Sequence, residues 1–243
     1  MTPDAQRQFA EAVEAAKLEA LAEFAAGAGH EINNPLAVIA GRAQMLLRDE
    51  KDDERRRALA LINSQAMRVY EMIADMRVFA RPPKPEPRLI QVDEFLTRLV
   101  AEMSPAAAQQ GTVLRHTVGQ VENLPHALQV LADPVQLTVA LRALCQNALE
   151  ALGSGGFVEI SAWYRGSDVE IAVSDDGPGI PPEVRPHIFD PFFSARQAGR
   201  GLGMGLGKCW RIVTNHGGRI TVDSTPGQGT VFTIALPGAE GAA

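Results

Sequence analysis

The chain has only two cysteines, Cys145 and Cys209, far apart and outside any CxxC pair. That excludes a disulfide framework and leaves two reduced thiols, as in a cytosolic-type protein. No run of about 18 apolar residues occurs, so no membrane span is written in the sequence. No signal-peptide pattern opens it. A basic surplus is missing too. The formal net charge is −6 and the pI is near 5.4, which argues against broad nucleic-acid binding. No internal repeat with a period of roughly 20–50 residues is visible. What is present is ordinary globular usage: 243 residues, 46% hydrophobic and 21% charged, a length for one large or two modest domains.

The first third reads as helix. Over residues 5–48, Leu18, Leu21 and Phe24, then Val38, Met45 and Leu46, recur at helical spacing, which makes an apolar stripe. The charged run RDEKDDERRR, 48–57, reads as a solvated turn between helices. The period resumes over 58–80 with Leu61, Ile62, Val69, Met72, Ile73 and Met76. Two long helices around a polar turn form a hairpin. One hairpin cannot bury two apolar stripes, so the expectation is a homodimer closing a four-helix bundle.

RPPKPEPR, 81–88, carries four prolines and reads as a stiff linker. It divides a helical-hairpin domain, 1–80, from an α/β domain, 89–238. In the latter, 92–103 reads as helix, 112–118 as strand, and 133–152 as a helix capped by Asp133 with Pro134 at its first position. Residues 157–164 and 168–175 read as strands, 207–216 as helix, and RITVDS and TVFTIALP as strands. The expected fold is a helical hairpin followed by an α/β sandwich, with a largely antiparallel sheet and helices on one face.

Two nucleotide-binding patterns fail. GRGLGMGLGKCW, 199–210, contains Gly-Lys, but Leu202 and Cys209 stand where a P-loop needs Gly and Ser or Thr. No GxGxxG links a strand to a helix. What remains is Gly201, Gly203 and Gly205 opening a helix, an arrangement that favours an anion; a bare glycine loop is the alternative. Asn147 lies mid-helix, where an amide oxygen could join a Mg²⁺ shell; a surface Asn is the plainer account. Asp175 ends a strand in DDGPGI, where a carboxylate could accept from an exocyclic amine; a plain Asp-Gly turn accounts for it equally. Gly227, Gly229 and Thr230 sit at a hairpin, which a simple turn also explains.

In this order and spacing the four elements resemble the nucleotide-binding domain shared by sensor histidine kinases and the gyrase, mismatch-repair and chaperone ATPases. Asn147 is similar to that family's N-box asparagine. Asp175, Gly177 and Gly179 match its first glycine box, and Gly201, Gly203 and Gly205 its second. IFDPFFSAR, 188–196, is similar to the aromatic box of the kinase branch. Upstream, GHEINNPLAVI resembles the H-box of a phosphoacceptor domain, in the nitrogen-regulation style. The chain is thereby similar to the catalytic core of a two-component sensor histidine kinase. The resemblance implies ATP and Mg²⁺ as cofactors, with Asn147 a metal ligand and Asp175, Gly177, Gly179, Gly201, Gly203, Gly205 and Thr230 around the nucleotide. It implies His30 as phosphoacceptor and a separate response regulator receiver domain as partner. It also implies a cytoplasmic location, free or as part of a membrane-bound sensor, with no nucleic-acid role.

A neutral imidazole is a good nucleophile near neutral pH, its unperturbed pKa being about 6.5. Glu31, next in sequence, is the candidate general base. Asn34, one turn on, shares the face of His30 and by resemblance would position water for dephosphorylating the regulator. Pro35 removes a backbone donor, so a bend or loosened turn is expected there. His116, His126, His187 and His216 read as ordinary surface or core histidines. Phe189, Phe192 and Phe193 read as a hinge or dock for a lid over 176–206, or as core; Arg196 and Arg200 as phosphate contacts or loop arginines. The family pattern is broken at Ala143, where an earlier Asn is usual, at Glu150, where a base is usual, and mildly at Asp176. Two rivals follow: an ATP-driven conformational machine of the gyrase or chaperone kind, and a scaffold that binds nucleotide without chemistry.

Overall fold

The computed structural model describes residues 3–119, 128–193 and 203–238. The chain divides into two compact units, Met1–Pro83 and Lys84–Ala243, so the boundary falls inside the proline-rich stretch. Among the described residues no helix is long and apolar enough to cross a membrane.

The first unit is a hairpin of α1, Pro3–Asp49, and α2, Asp53–Ala80. The turn is far shorter than the charged run 48–57 suggested, because local capping starts α2 early. The Asp52 carboxylate accepts from the Arg55 amide at 2.9 Å, and Asp53 and Glu54 place negative charge at the positive end of the helix. Glu50 Oε1 closes the turn, accepting from the amides of Lys51 and Asp52.

Small residues make the seam between the two helices. Ala25, Ala40 and Ala43 of α1 and Ala66 and Ile73 of α2 are buried. A Cβ placed on Gly29 would lie 3.3 Å from Ile73 Cγ2, so the helices approach closely there. The larger apolar side chains of the expected stripe stay outside the seam: Val38 is 62% exposed, Met45 63% and Leu61 60%.

In the second unit a five-stranded sheet runs in the order β2, Val113–Val118; β4, Phe157–Arg165; β5, Asp168–Asp175; β7, Gly229–Pro237; β6, Arg219–Thr225. β2 is parallel to β4 and every other pair is antiparallel. Alternation puts Val158, Ile160, Ile171, Val173, Phe232 and Ile234 in the core. There they meet Leu96 of α3, Val92–Gln109; Leu141 and Leu144 of α4, Pro134–Leu152; and Ile212 of α5, Gly205–Asn215. Helix α5 thus begins two residues before the sequence pattern suggested. A second pairing, β1, Arg88–Gln91, with β3, Gln129–Ala132, is not foreshadowed in the sequence. Each strand has only four residues, too few to show a period.

Asp133 is the joint of this unit. Its carboxylate caps α4 by accepting from Val135 and Gln136 and also accepts from the Glu86 amide at 3.0 Å, which fastens the end of the proline-rich stretch. Its own amide donates to His216 Nε2 at 3.0 Å. His216 Nδ1 lies 2.8 Å from the Ile212 carbonyl, so the ring is a neutral tautomer with Nδ1 protonated. Burial opposes ionisation of the Asp133 carboxyl, but the amides of Glu86, Gln136 and Val135 hold its pKa below the usual carboxylate value. A depressed folded-state pKa stabilises above the unfolded value and loses that stabilisation as pH falls through the folded one. Asp133→Ala should therefore lower stability at neutral pH by about 1–2 kcal/mol. The gap from the parent chain, followed by thermal unfolding, should narrow below about pH 4.

Candidate functional site

His30, Glu31, Asn34 and Pro35 are all exposed on α1. His30 directly follows Gly29 of the hairpin seam, and Asn34 lies one turn further along the same face. Pro35, where a bend or loosened turn is expected, lies inside the continuous helix α1 at an exposed position, and the Glu31 carbonyl loses its helical donor there.

In the second unit one face of α4 organises the candidate nucleotide site. Ala143, Asn147 and Ala151 follow at four-residue steps and so line one face. A Cβ on Gly205, the first residue of α5, would lie 3.9 Å from Ala143 Cβ. A Cβ on Gly177 would lie 3.7 Å from Ala151 Cβ. Half-buried Asn147 therefore stands between the start of α5 and the first glycine box. One residue before it, Gln146 donates to Glu150 Oε1 at 3.2 Å, so Glu150 belongs to the same helical turn. Ala143, where the family pattern has another Asn, is the residue that faces Gly205. Met204 holds the N-cap position of α5, and no side chain among the described residues caps it.

The floor of the site is a polar row across the inner face of the sheet. Register sets Asp175 of β5 beside Thr230 of β7, and Thr230 beside Ser224 of β6. All three are buried: Asp175 is 5% exposed, Thr230 5% and Ser224 4%. Asp175 Oδ1 accepts from the Gly177 amide at 2.9 Å and holds the turn. Gly179, at φ +71°, packs against the Thr225 carbonyl so closely that no side chain fits, and Gly227 donates to the Pro178 carbonyl at 2.8 Å. The glycine box thus lies flat on the β6–β7 turn. Asp176 acts elsewhere. Its Oδ1 accepts from the Phe157 amide at 2.8 Å and secures the start of β4.

Gly203, at φ +69°, abuts the Phe193 carbonyl with no room for a side chain. The two ends of the glycine-rich segment are therefore in contact. Phe189 packs edge-on against Phe232, ring centroids 6.3 Å apart, as a core residue. Phe192 is exposed with φ +65°, an uncommon conformation for an aromatic residue. Gly201, Arg196, Arg200 and His126 lie outside the described residues.

Other reactive groups are occupied or quiet. His116 Nε2 lies 3.3 Å from Asp93 and Thr97, and His187 Nδ1 lies 2.8 Å from Asp190. Burial pushes the Cys145 thiol up to about 12 and raises Cys209 further, so neither is a nucleophile. Among the described residues no group of three or more His, Cys, Asp or Glu is placed to hold a metal ion. Ser224 was missed in the sequence, yet a signal was there: Ile220, Val222 and Ser224 alternate, which puts the serine hydroxyl on the apolar face.

An exposed helix histidine in one unit, and a glycine turn beside a buried carboxylate in the other, are the arrangement expected of a phosphotransfer class of protein. Comparison with known proteins gives the family. Residues 20–84 match the His Kinase A (phospho-acceptor) domain, and 132–240 the histidine kinase-, DNA gyrase B-, and HSP90-like ATPase. The chain is 33% identical over 223 residues to sensor histidine kinase ZraS of Klebsiella oxytoca, across 91% of this chain and 47% of that protein. Full-length ShkA in complex with AMPPNP superposes with a TM-score of 0.75 at 26% identity, over 89% of this chain and 46% of the other. Histidine kinase ThkA, solved with response regulator protein TrrA, shares the fold with a TM-score of 0.68 at 23% identity, over 97% of this chain and 67% of that one. The chain is a two-component histidine kinase catalytic core, carrying the phosphoacceptor and ATPase domains. It spans about half the length of the curated relatives it matches.

Proposed function

We propose that the chain phosphorylates itself on His30 from ATP and passes the phosphoryl group to an aspartate of a separate response regulator. The observation that carries this is the position of Asn147, between the α5 N-terminus and the first glycine box, in a chain whose other unit exposes a histidine. Adenine would lie over Asp175 and Thr230, with the phosphates toward Gly203, Gly205 and the first amides of α5. The residues fit such a ligand. The charged group in the floor is an acceptor, and Gly179 and Gly203 lie too close to neighbouring backbone for a side chain. Mg²⁺, when bound, offsets phosphate charge, and the Asn147 amide oxygen is a suitable ligand for it. Gly201 is assigned to the same phosphate loop by resemblance.

In the transfer, one unprotonated ring nitrogen of His30 attacks the γ-phosphorus. A P–N bond forms as the bond to the bridging oxygen breaks, and ADP leaves with that electron pair. Glu31 takes the proton from the other ring nitrogen. Asn34 orients water for the opposing reaction, hydrolysis of the phosphorylated regulator. Val38, Met45 and Leu61, left exposed by a single hairpin, are covered by a second copy in a four-helix bundle. The work is done in the cytoplasm, where ATP and reduced thiols occur together.

Incubated with Mg²⁺ and γ-labelled ATP, the chain should take up label that survives base and is lost in acid. ATP hydrolysis without such label would indicate a conformational ATPase; binding with neither would indicate a scaffold. Light scattering should give twice the chain mass, and a monomer at micromolar concentration would rule out the bundle.

A further inference from the structure

The row Asp175–Thr230–Ser224 allows the hydroxyl protons to be counted. Ser224 Oγ has three partners. It is 2.9 Å from the Gly229 carbonyl, 2.8 Å from the Ile180 amide and 3.1 Å from Thr230 Oγ1. A serine hydroxyl offers one hydrogen and two lone pairs. The Gly229 carbonyl can only accept, so it takes the hydrogen. The Ile180 amide can only donate, so it fills one lone pair. The remaining lone pair must receive the Thr230 hydroxyl hydrogen. Thr230 is thereby committed as a donor toward Ser224, and toward any other group its oxygen is purely an acceptor.

Asp175, the cross-strand neighbour of Thr230, is an acceptor as well when ionised. Two adjacent acceptors match a group that carries two hydrogens, such as an exocyclic amine, and repel a keto oxygen. We infer that Ser224 is a specificity-determining residue of the nucleotide site: it touches no nucleotide, but fixes the polarity of the Thr230 hydroxyl and so favours a 6-amino over a 6-keto purine. The inference rests on the reading of this cleft as an ATP site. It also gives Ser224 a second role, since Ile180 directly follows the first glycine box and is held to β6 through the same oxygen.

Without the serine hydroxyl, Thr230 is free to turn its hydrogen toward the base. Its preference for an amine is then lost, while the Asp175 contribution stays. The test is calorimetric binding of ADP and IDP, with Mg²⁺, to the full chain and to Ser224→Ala, Ser224→Thr and Thr230→Val. The parent chain should prefer ADP. In Ser224→Ala and Thr230→Val the preference should fall about tenfold, the worth of one well-made hydrogen bond. Ser224→Thr keeps a hydroxyl and should restore it. A merely structural serine would weaken both nucleotides equally and leave the ratio alone; that result in Ser224→Ala would overturn the proposal. If Ser224→Ala does not fold, an unchanged ratio in Thr230→Val overturns it instead. Failure of the parent chain to bind ADP would remove the ATP reading and this inference together, whereas binding with an unchanged ratio removes only the inference.

Discussion

His30→Gln protein, incubated with Mg²⁺ and γ-labelled ATP, should acquire no acid-labile label, a loss of at least about a thousandfold in rate. Glutamine is a better helix former than histidine, and position 30 is exposed, so the hairpin should form as before and the cleft should bind ADP unchanged. The loss can then be assigned to chemistry. No other histidine among the described residues is a comparable acceptor. His116 and His187 are held beside carboxylates, and both ring nitrogens of His216 are engaged by backbone. Label that persists in His30→Gln would move the acceptor elsewhere and refute the assignment. Glu31→Gln is the companion variant. It keeps size and helix propensity but cannot take a proton, so labelling should slow about a hundredfold with nucleotide binding intact. An unchanged rate would remove Glu31 from the reaction.

The sequence was most legible where one residue type has one physical use. Asp133 before Pro134 announced a capped helix, and the structure shows that cap. Glycines 179 and 203 were placed by motif, and each is at a positive φ with backbone where a side chain would be. The sequence misled where a residue has two uses. The charged run 48–57 suggested a turn, yet acids at a helix start and bases further along are equally a capped first turn, and the helix form prevails. Pro35 suggested a bend or loosened turn, and the helix is continuous through it, since one missing donor at an exposed position is a small loss against the long run of hydrogen bonds on either side. The apolar stripe was identified, but not how it divides. Alanines and Gly29 make the contact within the hairpin, while the larger side chains stay exposed, because close helix approach selects small residues. The polar row was only half legible: Asp175 and Thr230 stand in motifs, whereas Ser224 shows itself only through register.

Asp175→Asn should weaken ADP binding by about a hundredfold or more, with little change in unfolding temperature. The asparagine oxygen can still accept from the Gly177 amide, a bond of 2.9 Å in the parent chain, so the turn of the glycine box survives. The second oxygen, however, becomes an NH₂. That group points a donor at the 6-amino donor of adenine, and the charge that strengthened the original bond is gone. A keto group at the same place would meet a donor instead, so IDP should lose far less than ADP and the order of the two should reverse. This differs in kind from Ser224→Ala, which lowers the ADP preference without inverting it, because the carboxylate there still accepts. Asp175→Ala separates the remaining possibility. It removes the bond to Gly177 as well, so a loss of stability confined to the alanine variant would show that the carboxylate holds the turn and reads the base through different oxygens. Unchanged ADP affinity in Asp175→Asn would mean that Asp175 is only a turn residue, and the adenine would have to be sought away from the polar row.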